Sequence, residues 1–175
     1  MQDNKFVIDI ASRDPVVIGP ETLAWSAEHL AEQRGVHYLL VVDSYALQGV
    51  VCLCDLSLAP ATASVESCMH RLPTTVDDQA TATEAAELMS HCQIGCLPVV
   101  GWTGGLRGVV TRHDLKQAGI IGADVETCAS CGSSHGLTED RTDYEGEAPI
   151  WLCFRCTGEA RPRTPDVIES TISPD

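Results

Sequence analysis

The chain has 175 residues, of which 44% are hydrophobic and 21% charged, and its formal net charge is −14. This composition is typical of a globular protein with one or two small domains, and the excess of acids argues against general binding to nucleic acid. No run of about 18 or more apolar residues predicts a membrane span, and the N-terminus lacks a signal-peptide pattern. We therefore expect a cytoplasmic protein without membrane contact.

The first predicted structural unit lies between residues 14 and 58. A strand is predicted at 14–18, and a helix follows with apolar residues at three- and four-residue spacing, namely Leu23, Ala27, Leu30 and Ala31. The apolar run 38–42 predicts a second strand, and the octapeptide GVVCLCDL at 49–56 predicts a third strand that leads into a short helix. The unit is thus strand, helix, strand, strand, helix.

The second predicted unit repeats this order between residues 72 and 117. Its helix carries apolar residues at the same spacing, namely Ala82, Ala85, Ala86, Met89 and Cys92, and its octapeptide is GVVTRHDL at 108–115. The offset between the units is 58 positions at the first two strands and 59 at the octapeptide, which places one extra residue in the second hairpin. One such unit is too small to bury its sheet alone, so two are predicted to pack on each other.

The repeat resembles a tandem pair of CBS domains, named after cystathionine β-synthase and often called a Bateman module. The matching pieces are the Pro-started first strand, the IGCLPVV strand at 94–100 and the GVVTRHDL turn, present in two copies in register. The resemblance implies an α/β (α+β) fold with one repeat at 5–64 and another at 65–122, packed as a pseudo-twofold pair. It also implies a homodimer.

Thr111 and Asp114 permit two interpretations. As a T-x-x-D capping box they would cap the following helix, a contribution of about 1 kcal/mol that needs no ligand. Arg112 and His113 in the first turn, with Lys116 one turn further, would instead add basic groups to a helix N-terminus that attracts anions. The sequence leaves both interpretations open.

The resemblance to CBS pairs implies an adenosine-containing ligand such as AMP, ADP, ATP or S-adenosylmethionine, held mainly by the second repeat. It implies that the hydroxyl and acid of the turn contact ribose and phosphate. The candidate ligand-binding residues are Thr75, Ile94, Pro98, Thr111, Arg112, His113, Asp114 and Asp55. In the first copy, Cys52, Leu53 and Cys54 replace the hydroxyl and the basic residues, so we expect this half-site to be degraded or selective for an uncharged ligand.

Four of the nine cysteines form two C-x-x-C pairs near the C-terminus. The pairs, Cys128 with Cys131 and Cys153 with Cys156, have the spacing of a tetrahedral structural Zn²⁺ site. They predict a zinc ribbon at 126–160, followed by a disordered tail at 161–175. A redox dithiol is the rival interpretation. The other five cysteines are expected to be core residues or bystanders.

The favoured hypothesis is a regulatory module that binds an adenosine-containing nucleotide and docks a partner protein of unknown identity through the zinc ribbon. One alternative is a ligand-free CBS dimerisation scaffold that presents the ribbon to protein or nucleic acid. A second alternative is a cysteine-based redox switch. The sequence offers no catalytic motif, so we expect no enzymatic activity.

Overall fold

The computed structural model describes residues 5–92, 94–122, 137–140 and 150–153. The first repeat follows the short helix α1 (Val7–Ile10) and comprises β1 (Val17–Ile18), α2 (Ala24–Arg34), β2 (Tyr38–Asp43), β3 (Ala46–Cys52) and α3 (Leu53–Leu58). The second follows a 3₁₀ turn (Val65–Ser67) and strand β4 (His70–Arg71) and comprises β5 (Val76–Asp77), α4 (Ala82–Cys92), β6 (Cys96–Val100), β7 (Leu106–Thr111) and α5 (Arg112–Gln117). The predicted mixed α/β fold is confirmed. None of the described helices is long and apolar enough to cross a bilayer.

A two-stranded hairpin is described near the C-terminus. Strand β8 (Leu137–Asp140) pairs antiparallel with β9 (Ile150–Cys153), so that Leu137 lies opposite Cys153. Strand β9 ends at Cys153, the first cysteine of the second C-x-x-C pair. Cys128, Cys131, Cys156 and the tail at 161–175 lie outside the described residues. The zinc ribbon and its metal site stay predictions.

The two repeats form separate sheets with the same internal arrangement. The sheet orders are β1-β2-β3-β4 and β5-β6-β7. In each sheet the first strand runs parallel to the second, with Ile18 opposite Val41 and Val76 opposite Val99. The second strand then pairs antiparallel with the third. Equivalent pairs in the two sheets thus keep the 58-residue offset that the sequence repeat predicts.

The segment that precedes each repeat packs on the other repeat. The N–H of Val7 donates to the carbonyl of Ala80, and the N–H of Val65 donates to the carbonyl of Thr22, each at 2.8 Å. Val7 is fully buried in the core of the second repeat, and Val65 is fully buried in the core of the first. The two repeats therefore interlock, and their packing does not follow the sequence boundary between residues 64 and 65.

The glycine shared by the two octapeptides lies where these crossing segments pass. A Cβ on Gly49 would lie 2.8 Å from the carbonyl oxygen of His70, and a Cβ on Gly108 would collide with the carbonyl oxygen of Ser12. His70 pairs with Val50 in the first sheet, and Ser12 forms the equivalent antiparallel bridge in the second. Close backbone approach thus explains why both copies carry glycine at this position.

Each repeat has its own core, and a third cluster joins them. Leu40 and Val50 of the first sheet pack with Cys96 and Val109 of the second, which confirms the expected packing of one unit on the other. Two residues assigned to helix core faces are exposed instead. Leu23 is the N-cap of α2, so the buried face starts at Ala24, and Cys92 lies in the last turn of α4.

Candidate functional site

The second octapeptide forms a capped strand-to-helix turn. Thr111, the last residue of β7, caps α5, and its hydroxyl donates to Oδ2 of Asp114 at 2.7 Å. The backbone N–H of Thr111 donates to the same oxygen at 2.8 Å, and the N–H of Asp114 donates to Oγ1 of Thr111 at 3.4 Å. The predicted capping box is confirmed, and it holds both side chains in a fixed position.

The first octapeptide forms the same turn with a thiol. Sγ of Cys52 accepts from the N–H of Asp55 at 3.3 Å and donates to Oδ2 of Asp55 at 2.9 Å. That oxygen also lies 3.2 Å from Nε2 of His70. A hydrogen bond with Cys54, burial and the neighbouring carboxylate of Asp55 raise the pKa of the Cys52 thiol far above its ordinary value. The thiol is therefore protonated at neutral pH and acts as the cap.

One cavity, which we call the Thr111 cavity, has a volume of about 190 Å³ and lies beside the second octapeptide. Its walls come from both repeats. The second repeat contributes Thr111, His113 and Asp114 at the capped turn, and the first contributes segments 14–16 and 35–38. Apolar and aromatic side chains, including Val16, Val36 and Tyr38, thus face hydroxyl, imidazole and carboxylate groups across one cavity.

A second cavity, which we call the Cys52 cavity, has a volume of about 230 Å³. The first repeat contributes Tyr38, Val50 and Cys52, and the chain leading into and through the second repeat contributes segments 70–74 and 94–96. Leu72, in this lining, has a φ of 50°, a left-handed conformation that a leucine rarely adopts. Tyr38 lines both cavities, so the two are neighbours.

The two cavities are related by the sequence repeat. The segment 14–16 of one corresponds to 72–74 of the other, and Thr111 corresponds to Cys52. Each cavity combines the strand starts of one repeat with the octapeptide of the other. The eight candidate residues are consequently not brought into one site: Thr111, His113 and Asp114 line one cavity, and Ile94 lines the other.

The remaining candidates lie outside both linings. The guanidinium of Arg112 donates to the carbonyls of Ile94 at 3.1 Å and Met89 at 3.0 Å, so it joins α5 to the end of α4. Pro98 is buried in β6 opposite Val109, and Thr75 is exposed beside Thr74, which lines the Cys52 cavity. Asp55 contacts that cavity through its bonds to Cys52 and His70.

Basic groups line the Cys52 cavity, contrary to the expectation that this half-site has none. His70 and Arg71 are both exposed, and Arg71 pairs with Glu66 at 2.8 Å. They come from strand β4, which leads into the second repeat but pairs with the first sheet. The sequence did not predict these two residues, because the binding site of each octapeptide was expected within its own repeat. The alignment of 14–16 with 72–74 was the signal that could have indicated a contribution from the start of the second repeat.

Two interlocked α/β repeats with a cavity at each octapeptide define this protein as a tandem domain pair. The CBS domain family matches residues 7–61 and 65–120. The chain belongs to the CBS domain family, and the resemblance inferred from the octapeptides is confirmed.

The chain matches parts of two relatives. The chain is 33% identical over 104 residues to inosine-5′-monophosphate dehydrogenase of Korarchaeum cryptofilum, covering 59% of this chain and 22% of that one. It is 35% identical over 99 residues to a CBS domain-containing protein of Dictyostelium discoideum, covering 47% of this chain and 68% of that one. The chain thus spans about a fifth of the dehydrogenase but two thirds of the Dictyostelium protein.

Two of the similar solved structures contain adenosine compounds. CBSX2 in complex with AMP is 28% identical with a TM-score of 0.60, covering 66% of this chain and 96% of that one. The CBS pair of protein MJ0100, in complex with 5′-methylthioadenosine and S-adenosyl-L-methionine, is 25% identical with a TM-score of 0.60. It covers 65% of this chain and 94% of the other. These ligands are properties of those two proteins.

Proposed function

We propose that the CBS pair is a regulatory module that binds an adenosine-containing ligand in the Thr111 cavity. The observation that carries the proposal is the capped turn: Thr111 and Asp114 hold each other at 2.7 Å and face a cavity closed by the other repeat. The AMP and S-adenosylmethionine complexes of two related pairs support the class of ligand.

The lining suits the parts of an adenosine ligand. A carboxylate such as Asp114 accepts hydrogen bonds from ribose hydroxyls, and the hydroxyl of Thr111 and the ring of His113 can donate to ribose or phosphate oxygens. Val16, Val36 and Tyr38 offer the apolar wall that a base requires. In this assignment Arg112 acts indirectly, because its donors bind backbone carbonyls at the end of α4.

The Cys52 cavity is the proposed second site. Its acidic cap residue Asp55 is already bonded to Cys52 and His70, and His70 and Arg71 supply basic groups for a charged ligand. Ile94 at this cavity takes the place that Val36 has at the other. Thr75 and Pro98 do not line this site.

The activity that ligand binding is proposed to regulate belongs to another protein. We assign no catalysis to this chain, and propose that Zn²⁺ bound by Cys128, Cys131, Cys153 and Cys156 orders a ribbon that docks a partner protein. The pair is proposed to form a homodimer whose packing changes when the ligand binds between its repeats. The excess of acids on the chain favours a protein partner over nucleic acid.

The test is isothermal titration calorimetry of the zinc-loaded chain with AMP, ATP and S-adenosylmethionine, with inorganic phosphate as a separate titrant. Asp114→Ala should weaken binding about ten- to hundredfold, the loss expected for a hydrogen bond to a charged group. Glu84→Ala is the matched control, because Glu84 belongs to an equivalent capping box with Thr81, outside both cavity linings.

Saturable binding of an adenosine compound that Asp114→Ala weakens at least tenfold and Glu84→Ala leaves unchanged would support the proposal. No heat from any of the three compounds at millimolar concentration would refute it and favour the ligand-free scaffold. Heat from phosphate alone would place the binding outside an adenosine site.

A further inference from the structure

A cluster of soft metal ligands lies in the first repeat between the two cavities. His37, Cys52 and Cys54 each offer one ligand atom, and the three atoms lie within 4.8 Å of one another. His37 lines the Thr111 cavity and Cys52 lines the Cys52 cavity. The proposed nucleotide sites use neither Cys54 nor the imidazole of His37.

Three elements hold the cluster in place. His37 immediately precedes β2, Cys52 ends β3, and Cys54 lies in the first turn of α3. The backbone N–H of Leu53 donates to the carbonyl of His37 at 2.8 Å, which fixes the two chain segments side by side. Both thiols are buried, with Cys52 at 5% and Cys54 at 4% exposure. The ligand atoms are therefore preorganised by secondary structure.

The distance between His37 and Cys54 fits a tetrahedral site for zinc. Zn–S and Zn–N bonds of about 2.3 Å and 2.0 Å at a tetrahedral angle place the sulfur and nitrogen about 3.5 Å apart. Nε2 of His37 lies 3.6 Å from Sγ of Cys54. Two cysteines and one histidine are a ligand set that Zn²⁺ prefers.

The second repeat shows that the fold itself does not require these groups. At the positions equivalent to His37, Cys52 and Cys54 it has Gly95, Thr111 and His113. The same turn forms there with a hydroxyl cap. The imidazole and the two sulfurs are therefore specific to the first repeat. The packing of the fold and the helix cap do not require these three residues.

We propose that His37, Cys52 and Cys54 form a Zn²⁺ site with three protein ligands, whose fourth position takes water. The bound cation replaces the thiol protons and neutralises the thiolates in the buried cluster. The ion would tie β2, β3 and α3 together between the two cavities, at a place separate from the C-terminal cysteine pairs.

The test uses the full chain with Cys128, Cys131, Cys153 and Cys156 replaced by serine, so that the C-terminal cysteines cannot contribute. Co²⁺ serves as the probe, because thiolate ligation gives intense charge-transfer absorption. One equivalent of Co²⁺ should bind with this absorption and be displaced by Zn²⁺. Adding Cys54→Ala should abolish the absorption, and adding His37→Gln should weaken Co²⁺ binding at least tenfold.

Two further variants separate loss of metal from loss of fold. Cys52→Ser keeps a capping side chain, so it should retain the wild-type circular dichroism spectrum while losing Co²⁺ binding. Cys92→Ser is the matched control, because Cys92 is exposed and outside the cluster, and it should bind Co²⁺ as the parent variant does.

A second experiment measures zinc content in the chain with all other cysteines intact. There, the double substitution Cys52→Ser with Cys54→Ala should remove one equivalent of zinc. Unchanged metal content in both backgrounds, or no Co²⁺ bound by the parent variant, would refute the site.

Discussion

Thr111 and Cys52 occupy equivalent positions, and each caps the helix that follows its octapeptide. The hydroxyl of Thr111 and the thiol of Cys52 both bond to the N–H and the carboxylate of the aspartate three residues later. The change from hydroxyl to thiol therefore preserves the cap. What it alters is the chemistry offered to a ligand or a metal, because sulfur is a weak hydrogen-bond donor and a strong zinc ligand.

Replacing Thr111 with alanine should lower the free energy of unfolding by about 1 kcal/mol, because the N–H of Asp114 loses its capping acceptor. Thr111→Ser keeps the hydroxyl and should stay within about 0.5 kcal/mol of the wild type. Urea denaturation followed by circular dichroism measures both. Equal destabilisation by alanine and serine would show that the methyl group of Thr111, rather than the cap, is the stabilising feature.

Glu84 gives a pH-dependent prediction. The backbone N–H of Thr81, at 2.7 Å, and then its hydroxyl hold the pKa of Glu84 below its ordinary value of 4.5. A carboxyl group whose pKa is lower in the folded state than in the unfolded state stabilises the fold at pH values above its unfolded-state pKa. This stabilisation is lost as the pH falls through the folded-state pKa.

The free energies of unfolding of the wild type and Glu84→Gln should therefore differ by a constant amount at neutral pH and converge below pH 4.5. Denaturation at a series of pH values measures this, and an NMR titration of the Glu84 carboxyl checks the pKa directly. If the difference between the two free energies of unfolding grew on acidification, the pKa of Glu84 would be raised by folding rather than lowered.

At the scale of elements, the crossing segments depend on the glycine of each octapeptide. Gly108→Ala should destabilise the fold by about 1–3 kcal/mol, because the new methyl group meets the backbone of Ser12, which has no flexible end to move aside. Gly19→Ala is the control, since nothing lies within 4 Å of its Cβ position. Thermal melts of the two variants make the comparison. If both melt like the wild type, the close approach in the second sheet does not exist in solution.

Periodicity predicted the elements but not their partners. The spacing of Ala85 and Met89 identified the buried face of α4, and the octapeptides identified both strand-to-helix turns. The same spacing placed Leu23 in the core, since it cannot show that the helix starts one residue later. The crossing of segments 5–12 and 63–71 follows from long-range backbone pairing. Such pairing leaves no local pattern in a sequence.

The candidate site was only partly predictable for the same reason. Thr111 and Asp114 are recognisable because a capping box has a fixed local spacing. The opposite wall, at 14–16 and 35–38, is brought to them by the packing of one repeat on the other. Arg112 looked like a phosphate ligand because position in a helix does not reveal where a long side chain turns.

At the scale of the whole molecule, the interlocked cores make the two repeats dependent on each other. Val7 precedes the first repeat in sequence but is fully buried in the core of the second. Val7→Ala should destabilise the fold by about 1–3 kcal/mol, and native-state hydrogen exchange should show the loss in α4. Val17→Ala, at an exposed position of β1, is the control. Faster exchange in α2 but not in α4 would contradict the crossed arrangement.

The central claim is that one adenosine-containing ligand is bound by residues of both repeats. Calorimetric titration of AMP into Asp14→Trp tests this most directly, because Asp14 is an exposed residue of the first repeat in the lining of the Thr111 cavity. The indole should fill the cavity and weaken AMP binding at least as much as Asp114→Ala does from the second repeat, without lowering the melting temperature. AMP binding to Asp14→Trp with wild-type affinity would contradict a shared site.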